Sequence, residues 1–113
     1  MLKLHGISRD GELWLRNPQK ELLVKYKAAY EGKYKEPAST FGGHAYDAFK
    51  ILSKAISQAG ADREKVRDAI ENMKGFAGTG GIFNFSPEDH NGLAIDAFAM
   101  WTVKDGKFAP YTK

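Results

Sequence analysis

The chain has 113 residues, the size of one ordinary domain and too short for two. Hydrophobic residues make up 42% and charged residues 27%, which excludes a disordered tail or a collagen-like repeat. Seventeen Lys and Arg against fourteen Asp and Glu leave +3, a weaker basic excess than nucleic-acid-binding domains carry. The lack of cysteine excludes disulfide frameworks, zinc–thiolate sites, iron–sulfur clusters and cysteine nucleophiles.

Residues 1–17 show no sustained period and read as an irregular N-terminal segment, with a short strand around Leu13–Leu15. Lys3, His5, Arg9, Asp10 and Glu12 interrupt any apolar stretch, so no secretory signal is expected there. Asn17-Pro18 then predicts a helix over 18–31, because Asn caps a free N–H and Pro at the first helical position forfeits no hydrogen bond. Leu22, Leu23, Tyr26, Ala29 and Tyr30 form its apolar stripe, with Gly32 and Pro37 as the stop. Ser39–Gly43 reads as a second break before a helix over 44–59. On that helix Ala45, Phe49, Leu52 and Ile56 make one stripe, widened by Tyr46, Ala48, Ile51 and Ala55, and Gly60 ends it. Asp62 caps a third helix over 62–74, with Glu64 in its first turn and Ala61 and Val66 placed as a hydrophobic staple. Val66, Ala69, Ile70 and Met73 face inward, and Gly75 stops it.

After Gly78–Gly81 the apolar period switches from helical spacing to two. Strands are predicted over 82–85, 93–103 and 107–111. Asp105-Gly106 supplies the two positive-φ positions of a type I′ hairpin turn. The fold class is therefore α/β: about three helices packed on a small sheet, with a C-terminal β-hairpin.

Chemistry-bearing constellations are sparse. His5, His44 and His90 are far apart, and only His44 and Asp47 share a helical turn, where Asp47 reads as a complement to the helix dipole. Gly78-Thr79-Gly80-Gly81 follows a helix and precedes a strand, and lacks the Lys of a phosphate loop, so it reads as structural. Asp89–Gly92 lacks the spaced carboxylates of a calcium loop and reads as a turn. Lys25-Tyr26-Lys27 and Lys33-Tyr34-Lys35 interleave cations with aromatics, but Tyr26 and Tyr30 fall on the buried stripe, so no nucleic-acid partner is expected. No nucleophile–base–orienter set can be assembled, and the residues point to no enzyme, no metal and no cofactor.

From Asn17 onward the chain resembles the C-terminal third of branched-chain amino-acid-type periplasmic binding proteins, the substrate-binding components of ABC importers. The succession that carries the likeness begins with Pro18-Gln19-Lys20, Tyr26…Tyr30 and the break from Gly32 to Pro37. It continues through Gly43-His44-Ala45-Tyr46-Asp47-Ala48-Phe49, Ala55-Ile56…Ala59-Gly60 and Val66-Arg67-Asp68-Ala69-Ile70. Phe76-x-Gly78-x-x-Gly81-x-x-x-Phe85 and Lys104-Asp105-Gly106-Lys107-Phe108 complete it. The resemblance implies a type I two-lobed fold, of which 18–113 would be a part, and an extracytoplasmic parent. It also implies an amino acid or related small ligand, and partnership with the membrane subunits of a transporter. Of the ligand-binding residues it implies only the segment before the 44–59 helix. There Phe41 matches an apolar contact to the ligand or packs beneath its loop, with Gly42, Gly43 and His44 as neighbours.

Two functional readings follow. The first is a non-catalytic fragment of an amino-acid-binding protein; the second is a self-standing α/β module that oligomerises without binding a small molecule. Either way, a strand carrying Ile95, Phe98, Met100 and Trp101 would expose a flat apolar edge and favour a homodimer, with exchange of the C-terminal hairpin as its simplest route.

Overall fold

The computed structural model describes residues 19–98 and 100–111, so the N-terminal segment 1–17 and the cap expected at Asn17-Pro18 lie outside the described residues. Three helices come first: α1 (Gln19–Tyr34), α2 (Thr40–Ala59) and α3 (Arg63–Glu71). A short antiparallel hairpin follows, β1 (Phe76–Ala77) with β2 (Ile82–Phe83), in which Phe76 stands opposite Phe83. A 3-10 turn at Ile95–Ala97 leads to a second hairpin, β3 (Trp101–Lys104) with β4 (Lys107–Pro110). The class is α/β as expected, with two separate two-stranded sheets in place of one small sheet. None of the described helices is long and apolar enough to cross a membrane.

The helix boundaries differ from expectation where side chains override the glycine signals. α1 passes through Gly32, the expected stop, and ends only after Tyr34. Tyr30 and Tyr34 pack ring against ring with centroids 4.9 Å apart, which rewards the extra turn. Lys35 then takes a left-handed φ of 58° and donates its N–H to the Glu31 carbonyl, closing the helix just before Pro37. α2 begins at Thr40, not at His44. Ser39 is its N-cap, with extended backbone and its Oγ accepting from the Gly42 N–H at 3.1 Å. Once that cap has set the chain direction, Gly42 and Gly43 continue as helix, so the stretch read as a break is the first turn. α3 is capped by Asp62, whose Oδ1 accepts from the Lys65 N–H at 3.0 Å. It stops at Glu71, short of 74: the Asn72 amide donates to the Asp68 carbonyl, and Met73 turns into the core.

The strands differ more. Ile82 and Phe83 pair with Phe76 and Ala77, which the period had not marked. Asn84 and Phe85 leave the ladder, and their N–H groups go to the Gly92 and Met73 carbonyls. Among the described residues the long strand expected over 93–103 is replaced by a 3-10 turn at Ile95–Ala97 and the short strand Trp101–Lys104. Leu93 Cδ2 and Ala97 Cβ both lie against Gly81, 2.9 and 3.2 Å from where a Cβ would stand. Residues four apart in a strand are separated by about 13 Å, so the chain must coil to bring both to one point. The C-terminal hairpin turns as expected, with Asp105 at φ 51° and Gly106 at φ 71°.

Two small cores flank α2. Ile51 and Ala55 pack with Met73, Phe83 and Phe85, and Val66, Ala69, Ile70, Phe76 and Leu93 close around them. Leu23, Tyr26 and Ala38 form the second, with Tyr30 and Tyr46 against it. The buried line along α2 is therefore Gly43, Asp47, Ile51 and Ala55. Phe49, Leu52 and Ile56, expected inside, are 69%, 45% and 43% exposed. Their stripe is real as a pattern, but no described residue covers it.

Two glycines that look alike in sequence should behave oppositely. A Cβ at Gly78 would stand 2.7 Å from the buried Phe83 ring and 2.8 Å from the buried Asp47 carboxyl, whereas one at Gly32 meets nothing within 4 Å. Gly78→Ala should cost about 1–3 kcal/mol and Gly32→Ala should gain about 0.5–1 kcal/mol, read by urea denaturation.

The joint between α1 and α2 should loosen in acid. Glu31 accepts from Lys27 Nζ and from the Ala38 N–H, and these bonds hold its carboxyl below the usual glutamate pKa. Because the folded form titrates below the unfolded one, the stabilisation is complete above the ordinary glutamate pKa and disappears as pH falls through the lowered value. The protection factor of the Ala38 amide, taken relative to intrinsic exchange at each pH, should fall over that acid window, and Glu31→Gln should remove most of that fall.

Candidate functional site

The β1–β2 hairpin presents its four-residue tip, Gly78–Gly81, to the first half of α2. Gly78 donates its N–H to the Gly81 carbonyl at 2.8 Å, which closes the tip. Asp47 holds it there. Its Oδ1 accepts from the Thr79 N–H at 2.7 Å, and its Oδ2 accepts from the Thr79 hydroxyl at 2.9 Å and the Gly80 N–H at 2.8 Å. The carboxylate is only 2% exposed, and three donors compensate for its loss of water. From α1, the buried Gln19 amide donates to the Thr79 carbonyl at 3.3 Å. Thr79 thus has its N–H, carbonyl and hydroxyl all engaged, and α1, α2 and the hairpin converge on it.

This corrects the reading of Asp47 as a dipole complement. With α2 starting at Thr40, Asp47 lies two turns inside the helix, beyond the reach of the N-terminal partial charge. The glycines of the tip are closely packed. Gly78 lies under Asp47 and Phe83, and a Cβ at Gly80 would stand 2.8 Å from the His44 ring.

Beside this clasp lies a cavity of about 180 Å³, lined by Thr40, His44, Thr79, Gly80, Leu93, Ala97 and Phe98. The 3-10 turn supplies its apolar side and the first turns of α2 supply its polar side. None of the described lining residues is an acid, a lysine or an arginine. The four residues singled out from the sequence divide among three surroundings. His44 lines the cavity. Gly42 lies under the Tyr26 hydroxyl and Gly43 is buried, both on the packed side of the helix. Phe41 is 75% exposed and is not among the lining residues.

Thr40, Thr79, Gly80, Leu93, Ala97 and Phe98 were missed. A signal existed for the clasp: Asp47 interrupts an otherwise small and apolar line, Gly43–Ile51–Ala55, and an acid in such a line needs donors from elsewhere. For Leu93, Ala97 and Phe98 the alternating pattern pointed to a strand and concealed the turn. Elsewhere, His90 Nε2 lies 3.1 Å from Glu71 Oε1, and Asp89 Oδ1 accepts from the Asn91 and Gly92 N–H groups, so 86–92 is a turn. Among the described residues no group of His, Cys, Asp or Glu is arranged to hold a metal ion.

Comparisons with known proteins give this geometry a context. No curated protein matches the chain. Among solved structures, a periplasmic binding protein type 1 from Bordetella pertussis Tohama I is 28% identical with a TM-score of 0.67, over 87% of this chain and 30% of its own. An extracellular ligand-binding receptor from Rhodopseudomonas palustris HaA2 is 29% identical with a TM-score of 0.65, over 88% of this chain and 31% of its own. The leucine-binding protein LivK from Thermotoga maritima MSB8 is 31% identical with a TM-score of 0.60, over 86% of this chain and 26% of its own. The chain therefore spans less than a third of the length of these relatives. The family model of the periplasmic binding proteins matches residues 11–107, reaching into the stretch 1–17 that had read as irregular. The chain belongs to the periplasmic binding protein family, whose members bind solutes and are not enzymes, and it has the α/β architecture of part of the type I fold.

Proposed function

We propose that the chain forms part of one lobe of an extracytoplasmic binding protein for an amino acid of the branched-chain type, delivering its ligand to the membrane subunits of an ABC importer. The observation that carries this reading is the cavity at the first turns of α2, where His44 and Thr40 face Leu93, Ala97 and Phe98 across the clasped hairpin tip. Its volume of about 180 Å³ is below the roughly 300–1,000 Å³ of complete ligand pockets, as one wall of a cleft between two lobes would be. An apolar lining with a few polar groups suits an uncharged side chain, and leucine is what one of the structural relatives binds. Of the segment Phe41–His44, His44 reaches the cavity, and the exposed Phe41 beside it is available to a second lobe. A self-standing oligomerisation module explains neither the cavity nor the family membership.

Titration of the ¹⁵N-labelled chain with L-leucine, L-isoleucine and L-valine should shift the amides of Thr40, His44 and Gly80 and leave α3 unmoved. L-lysine and L-glutamate should shift none of them. Equal responses to all five would overturn the assignment to an uncharged side chain.

The homodimer is proposed on a second observation. Ile95 is 85% exposed, Phe98 72%, Met100 75%, Val103 62% and Phe108 71%, a concentration of large apolar side chains on the 3-10 turn and C-terminal hairpin. Covering a few hundred Å² of this surface would be worth several kcal/mol at about 25 cal/mol per Å², enough to offset part of the cost of association. Sedimentation at tens of micromolar should show a mass above 12.5 kDa that rises with concentration, and a monomer at all concentrations would reject it.

A further inference from the structure

We infer that Asp47 is a positioning residue for ligand recognition, acting through the Thr79–Gly80 tip and not by touching the ligand. This rests on the reading of the cavity as a ligand wall. Asp47 does not line the cavity, and both its oxygens already accept from the hairpin tip. The same bonds fix the two residues that do line it, Thr79 and Gly80, to the helix that carries the other polar lining, Thr40 and His44.

The arrangement is tight enough to transmit displacement. Gly80 lies against the His44 ring, so the tip cannot move toward α2 without moving His44. Gly78, under Asp47 and Phe83, prevents the tip from sliding along the helix. Gly81, at the far side of the tip, lies against Leu93 and Ala97, so the apolar side of the cavity is registered on the same four residues. One carboxylate thereby sets the distance between the polar and apolar sides of the wall. A neutral amide cannot replace it. An Asn side chain has one acceptor oxygen, and in either orientation its NH₂ faces a backbone N–H, that of Thr79 or that of Gly80.

The test compares Asp47→Asn, Thr79→Val and, as a stability control on the same buried line one turn further on, Ile51→Val. Each variant is titrated with L-leucine by ¹⁵N NMR at a temperature where its circular dichroism is that of the folded chain. Asp47→Asn should weaken binding by about tenfold or more and accelerate amide exchange at Thr79 and Gly80. Thr79→Val, which loses only the hydroxyl bond and leaves both amide bonds to Asp47, should fall between it and the unaltered chain. Ile51→Val should lose stability with no change in leucine affinity. Leucine binding unchanged in Asp47→Asn, or weakened as much by Ile51→Val, would overturn the positioning role while leaving the cavity as the ligand site. Failure of the unaltered chain to respond to leucine at Thr40, His44 and Gly80 would overturn the ligand-wall reading and this inference with it.

Discussion

A carboxylate removed from water must find donors, and most of this structure is arranged around where Asp47 finds them. The hairpin tip supplies two backbone N–H groups and one hydroxyl, and the residues that permit so close an approach are glycines for that reason. Gln19 brings α1 to the same point. The two cores lie on either side of this junction along α2, one built on Ile51 and Ala55 and the other reached through Tyr46. Neither core is large. The junction gives them a common frame, because a displaced tip would leave a buried charge without partners.

What could be read in the sequence was what neighbours in the chain decide. The Asp62 cap, the Gly60 stop and the Asp105-Gly106 turn each depend on a few consecutive residues, and each is found where its chemistry places it. The order of three helices, then strands ending in a C-terminal hairpin, was legible for the same reason. Competing local signals and decisions taken at a distance were not. Gly32 and Gly42-Gly43 carried a local helix-breaking signal that tyrosine packing and a serine cap overrode. The alternation of Leu93, Ile95 and Ala97 is a fair strand pattern, but contact with Gly81 requires a coil.

The site was legible to a similar depth. His44 stands at the head of α2, and the likeness to a binding-protein family pointed to the same turn, where the structure has a cavity. Thr40 was lost because the helix was started four residues late. Asp47 was seen and given the wrong partner, since nothing nearby in sequence offers the three donors it takes from Thr79 and Gly80. The exposed line Phe49, Leu52 and Ile56 is the opposite case, a burial signal correctly written in the sequence whose cover is not among the described residues. That fits a chain spanning less than a third of its relatives.

The clasp also has a bearing on the order in which the chain folds. Helices and short hairpins close loops of a few residues and form on microsecond timescales. The bonds to Thr79 and Gly80 instead join residues 32, 33 and 60 positions apart. Closing loops of that length costs chain entropy that neither α2 nor the hairpin recovers until the two meet. The wall of the cavity is therefore among the last features to assemble, after the elements that form it already have their own shapes.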